Sequence, residues 1–222
     1  MAQAISSDEF AALRRHMIDS QLRTCDVTDQ ALLAAFADTP RERFVPPALA
    51  SLAYLDRDVP ALGAAGRLLL APMVLAKLIQ AANVRLGDRA LDVAGGSGYS
   101  AALLAALGAH VLAFEVDKGA LAAAKDLLSG EKSIEFADGD LAAGAAGGPF
   151  DLILINGAFE RSPEKLIAQL ADGGRLVGVD ASFRSPKAVI IEKIGGAVSR
   201  RALFDAAAPR LEAFRQLASF AF

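Results

Sequence analysis

Apolar positions recur at helical spacing over residues 7–23, where Phe10, Leu13, Met17 and Leu22 fall on or near one face and Arg14, Arg15 and Asp19 fall off it. Ser7, with Glu9 just after it, marks the start. The pattern predicts a second helix beginning at Thr28, with Asp29 in its first turn and Leu32, Leu33 and Phe36 buried, and ending before Pro40. Residues 40–47, bounded by prolines, read as a short extended connector, and a third short helix carries Leu49 and Leu52 ahead of Tyr54. Periodicity then fails from Asp56 to Pro72, where Pro60, Gly63 and Gly66 interrupt the chain; a loop of that length inside a compact domain tends to be functional. Its last residues, Leu68-Leu69-Leu70, read as packing rather than polar recognition. A helix over 72–82 follows, with Pro72 near its first turn.

From Asp88 the pattern changes to alternation of strands and helices. Strands are predicted at 89–94, 110–115, 133–137, 150–155 and 174–179, and helices at 97–107, 118–128 and 163–170. Runs such as Leu152-Ile153-Leu154-Ile155 suit a sheet covered on both faces. Two further strands, 187–194 and 198–204, flank Gly195-Gly196 and should form an antiparallel hairpin at the sheet edge. The expected class is α/β: a Rossmann-like, doubly wound, mostly parallel sheet with that C-terminal edge hairpin and an N-terminal helical cap. The expected division is residues 1–72 for the cap and loop and 73–222 for one compact ligand-binding unit. Leu211, Phe214, Leu217, Phe220 and Phe222 in the tail read as core or interface packing.

Composition narrows the function classes. The chain has 222 residues, 54% hydrophobic, with a net charge of −3, which disfavours nucleic acid as a partner. No apolar run reaches the length of a membrane span, and no charged-then-apolar leader is visible near Asp8 and Glu9, so a cytoplasmic location and no membrane partner are expected. The single cysteine, Cys25, excludes an internal disulfide and a cysteine-cluster metal site, and no metal is expected. His16 and His110 read as structural or surface residues.

Candidate chemistry centres on residues 91–99, where an apolar strand meets a glycine turn and an alanine-rich helix. Glycines at 95, 96 and 98 remove Cβ atoms where the backbone turns and where a ligand approaches. Three residues after Gly96, where a dinucleotide fingerprint counted from that glycine needs its last one, stands Tyr99, which, with the long preceding cap, argues against an NAD enzyme. Asp92 repels phosphate and suits the ammonium of an amino-acid-like ligand. Glu115, about twenty residues beyond the turn and followed by Val116, suits ribose hydroxyls. Asp138 and Gly139 close the third strand near an adenine edge, and Asn156 and Gly157 form a small polar rim after the fourth. Each acid alone is equally a helix cap or turn residue; in register they point to an adenosine-type cofactor, and S-adenosyl-L-methionine fits the acid at Asp92. The expected cofactor site is therefore Asp92, Ala94, Gly95, Gly96, Ser97, Gly98, Glu115, Val116, Asp138, Gly139, Asn156 and Gly157, with Ala94 at negative φ.

The sequence resembles the protein-L-isoaspartate O-methyltransferase family of S-adenosylmethionine-dependent enzymes over most of its length. The matching segments are Met17 to Arg23, Val27-Thr28-Asp29, Pro40 to Pro46, Ala53-Tyr54 with Asp56, the 91–99 corner, Asp138-Gly139, Phe150-Asp151 and Gly173 to Val177. The resemblance implies methyl transfer to a carboxylate, on isoaspartyl residues of damaged protein or on a different acceptor. Arg67-Leu68-Leu69-Leu70 stands where the family carries a hydroxyl-bearing element, and three leucines offer no side-chain hydrogen bonds. Such transfer rests on in-line positioning and exclusion of water, so no catalytic residue is assigned. Gly66, Arg67 and Leu70 are the substrate-side candidates. The alternative is a methyltransferase-fold protein that binds or regulates without catalysis.

Overall fold

The computed structural model describes residues 5–216. Helix α1 (Ser7–Met17) opens on a capping box: Glu9 N donates to the Ser6 hydroxyl and Ser6 N donates to the Glu9 carboxylate, so the cap is Ser6 rather than Ser7. The helical path continues through a π turn, Ile18–Leu22, and a 3-10 turn, Arg23–Cys25, and stops at Asp26 in the left-handed region. Full burial is confined to the second half of this run, while Phe10 in the first half packs against the core only in part. Met17, Ile18 and Leu22 are buried, whereas Leu13, expected on the packed face, is 37% exposed. In α2 (Gln30–Asp38) the cap is Asp29 itself, accepting from Ala31 N and Leu32 N.

The connector after Pro40 is not extended. Arg41–Phe44 forms a 3-10 turn that carries the fully buried Arg41 inward, and a second 3-10 turn spans Pro47–Leu52. The segment read as irregular contains a small antiparallel ladder, β1 (Val59–Pro60) on β2 (Leu68–Leu69). Then come α3 (Pro72–Ala82), β3 (Arg89–Val93), α4 (Tyr99–Ala106), β4 (His110–Phe114), α5 (Lys118–Leu127) and β5 (Ile134–Ala137), followed by β6 (Phe150–Phe159), α6 (Glu164–Ala168), β7 (Leu170–Asp180), β8 (Lys187–Ile194) and β9 (Ala197–Asp205). Strands β6 and β7 run past their sequence-predicted ends.

The large sheet has the order β5-β4-β3-β6-β7-β8-β9; it is parallel from β5 to β7 and antiparallel through β8 and β9, the division that the sequence pattern predicts. The chain winds outward from β3 to β5 and returns to β6 on the other side of β3, which places a topological switch point at the carboxyl end of β3. Period-2 alternation then sorts the side chains. Leu91, Val93, Ile153 and Ile155 join the core on one face with Leu166, Leu211 and Phe214. Ala90, Leu152 and Leu154 join the opposite core, which is continuous with Met17, Leu32, Phe36 and Leu75 of the cap and α3. Leu211 and Phe214 are core residues as expected; Leu217, Phe220 and Phe222 lie outside the described residues. Among the described residues no helix is long and apolar enough to cross a membrane.

One buried cation ties the amino ends of these layers. Arg175 on β7 donates to Ala82 O, Asn83 O and Asp151 O and forms an ion pair with Asp88, so it closes the carbonyl end of α3, the following turn and β6 together. Removing it leaves Asp88 buried without its cation. Arg175→Met is expected to lower the unfolding free energy by about 3–5 kcal/mol, measured from urea denaturation. A loss below about 1 kcal/mol would mean that the carbonyls find other donors.

Candidate functional site

Alternation along β3 and β6 brings Asp92 and Asn156 to the same face. Asn156 Nδ2 donates to Asp92 Oδ1 at 2.7 Å and to Val93 O at 3.1 Å, and Ser100 Oγ on α4 donates to Asp92 Oδ2 at 2.8 Å. Asp92 is fully buried, and burial pushes its carboxyl up to about 6, against the opposing pull of the hydrogen bonds from Ser100 and Asn156. Gly95 is required by this carboxylate: a Cβ there would lie 2.2 Å from Asp92 Oδ2.

The corner departs from expectation at Ala94, which sits at φ +59° instead of the negative φ expected of alanine. Its buried side chain and its amide, which donates to Phe114 O at 2.9 Å, hold it there against a steric cost of about 1–2 kcal/mol. Gly96 and Gly98 have φ of +62° and +92°. The atoms that crowd them belong to the protein. A Cβ on Gly96 would meet Ala61 Cβ at 2.8 Å and Arg67 Cγ at 3.1 Å, and one on Gly98 would meet Leu128 Cδ1 at 2.7 Å. Ser97 Oγ donates to Phe44 O at 2.5 Å, which ties the corner to the cap.

Glu115 follows β4 and is buried. Its carboxylate accepts from Gly96 N at 3.0 Å, from Val116 N and Asp117 N, and from Arg67 through Nε at 3.0 Å and Nη2 at 2.8 Å. The two acids thus bracket the glycine corner, Asp92 beneath it and Glu115 beside it. Arg67, expected on the substrate side, engages the chain's own Glu115 instead. Asp117 caps α5 through Gly119 N and Ala120 N, and those amides, with Ala65 N, hold its carboxyl below the ordinary range despite a desolvation that acts in the opposite direction.

The remaining expected residues divide. Asp138 is exposed, and Gly139 lies against the Phe114 ring, so both stand beside the corner at the end of β5. Val116 is 51% exposed, an apolar side chain facing solvent next to Glu115. Gly66 is exposed at the loop tip. Three residues depart from their expected roles. Asn156 is buried beneath the corner rather than on a rim. Gly157 is packed by Leu211 and Pro209, because the C-terminal segment crosses β6 there. Leu70 is buried, and Arg41 Nη2 donates to its carbonyl at 2.7 Å, so the leucine run serves packing.

Single-residue reading misses Ser100, Arg41 and Tyr99. Arg41 Nε also donates to Ala53 O at 2.8 Å, and its guanidinium lies 4.8 Å from the centre of the Tyr99 ring. Burial lowers the Arg41 pKa and raises the Tyr99 hydroxyl to about 12. The one sequence signal for Arg41 is its place in the Pro40 to Pro46 segment.

Residues 12–203 match the family described as Protein-L-isoaspartate(D-aspartate) O-methyltransferase. A protein-L-isoaspartate O-methyltransferase of Gloeobacter violaceus is 36% identical over 192 residues, 85% of this chain and 93% of that protein. The corresponding protein of Koribacter versatilis is also 36% identical, over 92% of this chain and 93% of its own length. A Plasmodium falciparum structure, described as a protein-L-isoaspartate O-methyltransferase in complex with S-adenosyl-L-homocysteine, superposes with a TM-score of 0.77 over 90% of this chain and 98% of its own. At 20% identity that likeness concerns the fold. The sheet order, the glycine corner at its switch point and relatives matched along nearly their whole length agree: the chain belongs to the protein-L-isoaspartate(D-aspartate) O-methyltransferase family.

Proposed function

We propose that this chain is an S-adenosyl-L-methionine-dependent O-methyltransferase that esterifies a peptide or protein carboxylate, with the isoaspartyl group as the first candidate acceptor. The observation that carries the reading is the bond from Gly96 N to Glu115: it joins the corner after β3 to the acid after β4 in one site at the switch point, the place where open α/β sheets bind ligands. Family membership supports the same chemistry.

The donor set fits the cofactor by kind. Glu115 would accept from the ribose hydroxyls, Val116 would cover one face of the base, Asp138 and Gly139 would meet its edge, and the backbone at Gly95–Gly98 would line the approach to Asp92. Asp92 is already paired with Ser100 and Asn156, so it would act on the ammonium through its field or a water rather than with a free carboxylate. The bound cofactor supplies an electrophilic methyl group on a sulfonium. A substrate carboxylate is ionised near neutral pH and needs no general base, so the protein's tasks are to orient it and to exclude water. The leucines at 68–70 serve the second task and not the first.

A second reading, a ligand-binding member without turnover, is favoured by one feature, the leucines at 68–70, whose side chains offer a substrate no hydrogen bond. Labelled methyl transfer to an isoaspartyl peptide, beside the matching aspartyl peptide, separates the two. Base-stable counts or none at all would remove the carboxyl methyltransferase assignment; base-labile counts on the isoaspartyl peptide alone support it. Asp138→Ala, at an exposed position, is expected to weaken S-adenosylhomocysteine binding about fivefold by calorimetry with no change in unfolding midpoint.

Protonation of Asp92 sets a pH dependence of stability. Its carboxyl lies near 6 in the fold against an ordinary value of 3.8, so folding favours the protonated form. That contribution is complete below about pH 4 and is lost as pH rises through about 6, a cost on the order of 3 kcal/mol by pH 8. Asp92→Asn keeps an acceptor for Asn156 and removes the buried charge. It should raise the unfolding free energy by about 1–3 kcal/mol at pH 8 and by less at pH 5, in urea titrations at both values. An equal gain at the two values would show that Asp92 is not the titrating group.

A further inference from the structure

The loop between β1 and β2 is held down over the cofactor corner. Arg67 reaches Glu115 with a two-pronged ion pair at 2.8 and 3.0 Å, its side chain 15% exposed and that of Glu115 3%. Ala65 N donates to Asp117 at 2.9 Å. Ala61 and Leu69 lie on Gly96. At the far end of the loop two glycines meet: a Cβ on Gly63 would sit 2.6 Å from Gly119 O, and a Cβ on Gly119 would sit 2.2 Å from Gly63 O. The space between Leu68–Leu70, Gly95, Tyr99 and Asn156 is too small for a water molecule.

These contacts conflict with ligand binding at one point. Glu115 receives its five N–H donors from Gly96, Val116, Asp117 and Arg67, so with the loop down nothing remains to accept a ribose hydroxyl. Arg67 takes the place a ligand would need. We infer that residues 61–67 form a strap latched by Arg67 on Glu115, and that an adenosyl ligand binds only to the conformation in which the latch is released. The inference rests on the cofactor reading above. Its physical content is a competition: the guanidinium and the ribose bid for the same carboxylate, so the observed affinity is the intrinsic one reduced by the fraction of open strap. The glycine pair belongs to the closed form, since only there do the two backbones touch.

Two substitutions release the strap by independent means. Arg67→Ala removes the latch. Gly119→Ala leaves every acid in place and wedges the loop away from the first turn of α5, where the backbone does not have a positive φ and alanine is a good helix former. With an open state of about 10%, each variant should tighten S-adenosylhomocysteine binding by up to about tenfold in calorimetry. Each should also speed hydrogen exchange at the amide of Ala65, whose bond to Asp117 crosses from the strap to the start of α5. Unchanged exchange in both variants overturns the strap. Faster exchange with unchanged or weaker affinity overturns the competition while the wild-type binding keeps the cofactor reading. Faster exchange with no binding by any form of the protein sinks the cofactor reading, and the gate with it.

Discussion

The carboxylate of Glu115 is the interaction on which the site depends. It is buried, and a buried anion is tolerated only where its lone pairs are filled. Gly96, Val116 and Asp117 fill them from the backbone and Arg67 fills them from the loop. In doing so they set the conformation of the corner, the start of α5 and the position of the strap. One acid therefore joins three segments far apart in sequence, and a ligand that claims it changes all three together.

Asp92 solves a related problem by different means. It is also buried, but its side-chain donors are two neutral groups, Asn156 and Ser100, and among the described residues no cation pairs with it. Burial raises its carboxyl to about 6, and the hydrogen bonds from these neutral donors offset only part of that rise. The glycine at 95 exists because this carboxylate occupies the volume a side chain would fill. Beneath the corner the protein thus holds a buried, proton-sensitive polar group, which is the pattern expected where function rather than stability selects the residue.

The strand–helix alternation after Asp88, the edge hairpin and the positions of Asp92, Glu115 and Asp138 at strand ends were legible from periodicity, because a covered parallel sheet writes itself as short apolar runs at regular spacing. The cap was legible in outline only. Its helix starts were shifted by a residue at Ser6 and Asp29, and the 3-10 turn at Arg41 left no periodic trace, because a single turn is shorter than any helical repeat. Ser100 and Asn156 escaped as partners of Asp92 since their roles follow from register between strands and helix, which no local pattern encodes.

Residue types and spacing determined by themselves the fold class and the kind of ligand that its acids and glycines suit, because these follow from short-range periodicity and chemistry, whereas the strand order that makes the end of β3 a switch point came with the folded sheet. Only the tertiary structure decided what each group touches. It turned Arg67 from a substrate-side cation into the partner of Glu115, turned Asn156 and Leu70 inward, and placed alanine at a positive φ at position 94. The physical reason is common to all four: each is settled by which distant backbone or side chain fills the adjacent space, and that is known only once the chain has closed on itself.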